Sequence, residues 1–433
     1  MKDKFGYSQI GILKSVNFLK FVPNSKNQHK NYTTTILFII LIMKLLKSSA
    51  FRLLVVILLL AAINPNSFAQ EQYKENKKII AIEEYKGGTF YPVHKYEQVD
   101  SKKNPKNIIL FIGDGMGLAH IYASMTANGG SLFLQNFIHC GFSKTYSSSA
   151  YITDSGAGGT AIACGVKTYN GAIGVGPDKQ PVQNIREMAE KKGLKTGLVS
   201  TSAINHATPA SFMAHQASRS SYDDIAADFL KSNIDVFIGG GVKFFENRKD
   251  GRNLSKELKD KGYQVLYKIE DIQKVKSGKL AGLTAEEHNA PMPERGEMLV
   301  PATETAINLL SQGKKGFFLM VEGSEIDFLA HNNQAPGVIR ETLDMDRAIG
   351  AALAFAAKNK ETLIIVTADH ETGGMTINEG NNKTGDITAK FTSPEHTGVC
   401  VPVFAFGPGA NQFGGFMENT EIAKKLMKLL KVQ

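Results

Sequence analysis

Ser155 follows Asp154 in the run Thr153-Asp154-Ser155-Gly156-Ala157-Gly158-Gly159-Thr160. An Asp or Ser ahead of small residues is a common helix N-cap. The same geometry aims free backbone N–H groups at an anion, and Gly156 lets that anion approach closely. A serine hydroxyl is a weak nucleophile until it is deprotonated. No histidine lies near Ser155 in sequence, so a bound metal ion is the natural activator. Candidate ligands are at hand. Asp327 and His331 are spaced i, i+4 and share one face of a helix. Asp369 and His370 are adjacent. Inside a strand they would point to opposite faces, but at a strand end, where the chain turns, both can converge on one ion. Asp114 lies in Gly113-Asp114-Gly115-Met116-Gly117, and Glu322 lies in Val321-Glu322-Gly323. His396, in His396-Thr397-Gly398, is an ordinary loop histidine by itself and joins the set through the others. Imidazole and carboxylate together suit Zn²⁺, and an all-oxygen set suits Mg²⁺.

These residues share one kind of position. Ile108 to Ile112 is a continuous apolar run that ends in Gly113-Asp114-Gly115. Such a run suits a strand buried on both faces of a parallel sheet. The grammar recurs at Thr196 to Ser200, Ile234 to Ile238, Phe317 to Val321 before Glu322, Leu363 to Val366 before Thr367-Ala368-Asp369-His370, and Val403 to Phe406. Helical stretches alternate with them at Val182 to Lys192, Tyr222 to Lys231, Thr303 to Gln312 and Gly337 to Lys358. Strand alternating with helix predicts an α/β fold, a three-layer α/β/α sandwich around a central, largely parallel sheet. In such sheets, ligands collect at the carboxyl ends of the strands. Asp114, Glu322, Asp369 and His370 all fall at such ends. The polar, Lys-rich stretch 243–300 and the Asn/Gly-rich stretch 378–394 break the alternation and read as surface insertions.

The net charge of +9 invites a nucleic-acid or membrane reading. It does not hold. Residues 1–69 carry nine Lys/Arg against one acid, which leaves 41 basic and 40 acidic residues for the rest. The basic segment reads as a secretory signal: Lys44, Lys47 and Arg52, the eleven-residue apolar run Leu53 to Ile63, then Ser67-Phe68-Ala69. Cleavage is expected after Ala69, giving a periplasmic or secreted chain with no membrane span. Eleven apolar residues fall short of the ~20 that cross a bilayer. Met43 opens a conventional signal peptide by itself, so residues 1–42 are expected to be an over-extended reading frame. Residues 70–104 read as a linker and 105–433 as the catalytic domain. Cys140, Cys164 and Cys400 have no zinc-finger spacing and are expected to be buried thiols.

Taken together, the motifs resemble those of the alkaline phosphatases. The likeness covers roughly Asn107 to Gly409, in the family order: Gly113 to Gly117, Thr153-Asp154-Ser155, Gly165 to Gly171, Val321 to Asp327, Thr367 to His370 and His396-Thr397-Gly398. The resemblance implies roles. Asp327, His331 and His396 would hold one Zn²⁺. Asp114, Asp369, His370 and the Ser155 oxygen would surround a second, and Asp114, Thr208 and Glu322 would hold Mg²⁺. Arg219 would grip two phosphate oxygens, as a planar guanidinium can. It also implies phosphate monoesters as substrates and a homodimer. Two positions depart from the pattern. His206 stands where some bacterial members have Asp and vertebrate members have His. Phe328 follows Asp327, where many members carry a Lys or His that reaches phosphate through water.

The expected chemistry is an in-line displacement. Ser155 attacks phosphorus, the alcohol leaves, and the phosphoserine is hydrolysed. A phosphodiesterase or sulfatase of the same superfamily is the rival enzyme. Arg219 and the third ion site favour monoesters, whose third unsubstituted oxygen needs a partner. A catalytically dead binding protein would lack ligands, and none is missing.

Overall fold

The apolar run at Ile108 forms the strand Asn107–Gly113, buried along its whole length. Its side chains alternate between two cores: Ile109 and Phe111 face one, while Ile108, Leu110 and Ile112 face the other. That is why the run shows no polar alternation. Burial of each such side chain contributes roughly 1.5–3 kcal/mol. The computed structural model describes residues 81–99 and 104–432. The signal segment and its cleavage site lie outside the described residues, as do residues 70–80 and 100–103 of the stretch read as a linker.

In chain order the strands are β1 (Glu83–Tyr85), β2 (Asn107–Gly113), β3 (His139–Lys144), β4 (Lys195–Ala203), β5 (Val236–Gly240), β6 (Tyr263–Leu266), β7 (Lys279–Leu283) and β8 (Phe317–Gly323). There follow β9 (Thr362–Thr367), β10 (Glu371–Thr372), β11 (Thr376–Asn381), β12 (Asp386–Lys390), β13 (His396–Thr397), β14 (Val401–Phe406) and β15 (Gly415–Glu418). Ten of them form one sheet in the order β15-β3-β14-β9-β2-β8-β4-β5-β7-β6. Within it only β14 runs against its neighbours β3 and β9; every other pairing is parallel. Helices α1 (Leu118–Ala127), α4 (Leu299–Leu310) and α6 (Ala335–Asn359) bury their apolar faces in one core. Helices α2 (Ser155–Cys164) and α7 (Asn419–Leu430), with the helix Ile185–Lys191, pack in the other. The result is the expected three-layer sandwich.

One expectation changes. Residues 243–300, read as an insertion that interrupts the alternation, instead supply β6 and β7, which extend the sheet in parallel at one edge. β6, the edge strand, is short and mixed in polarity, as an edge position permits, while β7 beside it is mostly buried. The stretch 378–394 lies outside the central sheet. There β11 and β12 pair antiparallel, and β1 joins them as a third strand. None of the three cysteines is bridged. Only Cys164 is buried, Cys140 being exposed and Cys400 half-buried, so the buried-thiol expectation holds for Cys164 alone. No helix among the described residues is long and apolar enough to cross a membrane.

Candidate active site

The sheet delivers the candidate ligands to one end. β2, β8 and β9 run parallel, so Asp114, Glu322 and the Asp369-His370 pair emerge together. The reversed strand β14 starts where its neighbours end. His396, just ahead of it, therefore arrives at the same place from the opposite chain direction. Helix α5 (Glu325–His331) follows β8 directly and carries Asp327 and His331. The short helix α3 (Ala207–Ser211) follows β4 and carries Thr208, with His206 as its cap.

Three groups of ligand atoms gather there: Asp327, His331 and His396; Asp114, Asp369 and His370; and Asp114, His206 and Glu322, each with its atoms within 4.8 Å of one another. Asp114 belongs to two of them. The first group shows directly what it needs. His331 Nδ1 donates to the Pro394 carbonyl at 2.5 Å, and His396 Nδ1 donates to the Thr153 carbonyl at 2.8 Å. Carbonyls only accept, so in the neutral rings each Nε2 carries a lone pair. These two Nε2 atoms lie 3.1 Å apart and face Asp327. Facing lone pairs beside a carboxylate call for a cation between them. Without one, the hydrogen bond to Asp327 pushes His331 up to about 9. Burial would raise Asp327, but the His331 hydrogen bond and the charges of His370 and His396 outweigh it and hold the acid well below its ordinary value.

The second and third groups are fully buried carboxylates crowded together. Burial, and then the charges of Asp327 and Glu322, push Asp369 up to about 8. Burial, followed by Asp369, Asp327 and Glu322, raises Asp114 well above its usual range, and burial raises Glu322 too. Asp114 Oδ1, Asp369 Oδ2, Glu322 Oε1 and His206 Nδ1 are buried without a hydrogen-bond partner. Buried acceptors of this kind are costly unless a proton or a metal ion satisfies them. The other carboxylate oxygens are held in place: Asp369 Oδ1 accepts from the amides of Gly115 and His370, and Glu322 Oε2 accepts from Ser200 Oγ at 2.5 Å. Thr208 Oγ1 lies 3.2 Å from Asp114 Oδ2, on the Glu322 side of the cluster. The donor chemistry fits divalent ions: imidazole with carboxylate in the first two groups, mostly oxygen in the third.

Ser155 opens α2 beside this cluster. Its Oγ lies 3.2 Å from His370 Nε2, and the residue is buried. Asp154 caps the helix by accepting the Ala157 amide at 3.0 Å, as the local sequence predicts. It does more than cap. Its carboxylate also accepts the Gly171 amide and the Arg219 guanidinium, the latter at 2.9 Å. Arg219 is thereby tethered next to Ser155. Gly158 lies so close to the β9 end that a Cβ there would sit 3.0 Å from the Asp369 carbonyl oxygen. The small residues after Ser155 are what let the helix approach Asp369 and His370.

Both departures in the motif pattern lie on one wall. Phe328 meets the His206 ring edge-to-face at 5.5 Å. His288 completes a trio, 5.2 Å from His206 and 5.1 Å from Phe328. Burial, then the Arg219 and His288 charges, hold His206 neutral, well below its ordinary value, and its Nε2 lies 3.3 Å from Arg219 Nη2. His206, named from the sequence only as a departure from the pattern, stands within ligand range of Asp114 and Glu322. Sequence reasoning missed His288, Ser200 and Thr372. Thr372 lies two residues beyond His370, just past the motif, and that closeness was the one available signal.

Comparison with known proteins agrees with this geometry. A model of the family described as alkaline phosphatase matches residues 105–390. Alkaline phosphatase 4 of Bacillus subtilis is 37% identical over 424 residues, 77% of this chain and 92% of that protein. The solved alkaline phosphatase of the Antarctic bacterium TAB5 is 41% identical with a TM-score of 0.72, covering 76% of this chain and 100% of its own. A variant of it with a histidine replaced by glutamate, with Mg bound in its M3 site, gives 41% identity and a TM-score of 0.71 over 76% of this chain and 99% of its own. Sequence, fold and site converge: the chain belongs to the alkaline phosphatase family, the phosphoric monoester hydrolases.

Proposed function

We propose that this chain is an exported phosphomonoesterase that works through a phosphoserine at Ser155. The supporting observation is the position of Ser155 Oγ, at a helix N-terminus and 3.2 Å from a ligand-type nitrogen of His370. Asp327, His331 and His396 would hold one Zn²⁺, and Asp114, Asp369 and His370 a second. Asp114, Glu322, Thr208 and His206 would hold a third ion, Mg²⁺; the TAB5 variant with Mg in its M3 site carries glutamate in place of a histidine, so it supports magnesium in the family through oxygen ligands. Bound there, such ions would lower the pKa of a coordinated hydroxyl and neutralise charge on the entering and leaving oxygens.

The protein's own groups do the rest. Arg219, tethered by Asp154, would offer its remaining N–H groups to two phosphate oxygens. The amides at the start of α2 face the same group. Ser155 Oγ forms the bond to phosphorus as the alcohol oxygen departs with the bond's electrons. Water then displaces the serine and releases inorganic phosphate. Phe328 supplies no charge to the bound phosphate, so product release meets less resistance than with a Lys there. The basic and apolar order of residues 44–69 supports export with cleavage after Ala69, and the family resemblance supports a homodimer.

Quenching the reaction with acid in labelled phosphate tests the central step. Label is expected on Ser155 and absent from Ser155→Ala; label on another residue would overturn the assignment. Comparing an aryl phosphate monoester, its diester and an aryl sulfate tests the class. Faster hydrolysis of the diester or the sulfate would replace the monoesterase reading.

A further inference from the structure

Thr372 is fully buried in the two-residue strand β10. Four separate contacts meet on it. Its hydroxyl donates to Asp327 Oδ1. The same oxygen lies 3.2 Å from His370 Nδ1. Its amide donates to the Gly115 carbonyl at 3.0 Å, next to Asp114. Across the β10–β13 ladder its register partner is His396. It therefore touches or adjoins a residue from each zinc-type group.

A hydroxyl has one proton and two lone pairs. The proton is committed to Asp327, whose carboxylate can only accept. What Thr372 Oγ1 presents to His370 Nδ1 is then a lone pair, so that nitrogen has to carry the ring's proton. The lone pair of the neutral ring is left on Nε2. That atom lies 3.2 Å from Ser155 Oγ and 3.3 Å from both Asp114 Oδ1 and Asp369 Oδ2, where an ion would be held. The opposite tautomer would set two lone pairs against each other at Thr372 and aim an N–H at the ion's place. Partners of this kind outside the ligand sphere fix ring orientation and basicity.

We propose that Thr372 is a positioning residue: its single hydroxyl fixes the His370 tautomer and joins the ligand sets of the two Zn²⁺ sites. The inference rests on the metal reading above. Gly115 supports it independently. Its φ is +70°, and a Cβ there would lie 2.6 Å from Thr372 Oγ1 and 2.8 Å from Asp327 Oδ1. The backbone leaves room for this hydroxyl–carboxylate contact and for nothing larger.

The test uses the full mature chain, stripped of metal, with Thr372→Val and Thr372→Ser. Zn²⁺ affinities are read by chelator competition, and each site is followed through the visible spectrum of Co²⁺. Valine keeps the shape and removes the hydroxyl. It should weaken both sites, each on the order of 10-fold, and alter both Co²⁺ bands. Serine should restore parental values. Parent-like binding in Thr372→Val, or weakening confined to the Asp327 site, would overturn the coupling. If the valine variant does not fold, the parent still decides. Imidazole nitrogen chemical shifts of His370 in the metal-free protein should show the proton on Nδ1; a proton on Nε2 would overturn the proposal. A parent that binds no Zn²⁺ refutes the metal reading itself, and the coupling with it, a result distinct from either of these.

Discussion

Removing the ions and raising the pH from 7 to 8 should weaken the fold. In the metal-free protein Asp369 is pushed up to about 8 from an ordinary 3.8, by burial and then by Asp327 and Glu322. At pH 7 the folded chain keeps a proton there that the unfolded chain has lost. The native state binds more protons, so stability falls as pH rises. Integrating the linkage for this one group from pH 7 to 8 gives RT ln(11/2), about 1 kcal/mol. Asp114, raised well above its usual range, acts in the same direction. So does His331, whose folded value of about 9 lies above its ordinary 6.5, so the stability that it contributes is lost as pH climbs through that range. Its share is reduced by solvent screening, because its side chain is 35% exposed. His206 and His370, held well below 6.5, have the opposite sign, but their effect is nearly complete by pH 7, and together they return only about 0.3 kcal/mol between pH 7 and 8. Against a typical total stability of about 5–15 kcal/mol, the loss is measurable. Urea unfolding of chelator-treated protein at pH 7 and 8 measures it, with the zinc-loaded protein beside it. With ions in place the carboxylates hold no proton, and the slope should vanish. Asp369→Asn should remove its share of the slope from the metal-free protein. A metal-free protein equally stable, or more stable, at pH 8 would refute the reasoning.

Asp114→Ala should cost two ions, since Asp114 belongs to two ligand groups, whereas Asp327→Ala should cost one and only weaken the His370 site through the freed Thr372 hydroxyl; metal content per chain at saturating Zn²⁺ distinguishes them. Arg219→Ala should lower kcat/KM by about 10²-fold by removing oxygen contacts in the transition state, with metal content unchanged. Phe328→Lys should tighten inhibition by inorganic phosphate by about 1 kcal/mol, roughly fivefold, if water bridges the new charge to the bound anion. An unchanged inhibition constant would show that this position, packed on His206 and His288, does not face the phosphate.

Much of the site was legible because its signals are local. A strand buried on both faces has to be a continuous apolar run, and Ile108–Ile112, Phe317–Val321 and Leu363–Val366 are such runs. The chemistry stands at their carboxyl ends because loops begin there, and Asp114, Glu322, Asp369 and His370 could be placed without coordinates. The i, i+4 spacing of Asp327 and His331 and the Asp154 cap ahead of Ser155 are likewise properties of a few neighbouring residues. Tertiary structure alone decided the rest. β3, β6, β7 and β15 lie toward the sheet's margins, where mixed polarity is tolerated and the periodic signal fades. The reversal of β14, which brings His396 to the site, is a pairing choice that its apolar residues do not encode. The hydroxyl of Thr372 meets Asp327 across 45 residues, and that of Ser200 meets Glu322 across 122. A hydrogen bond between distant segments leaves no periodicity in either one. Local pattern reports which face of an element is buried, whereas the partner found there is chosen only when the chain closes.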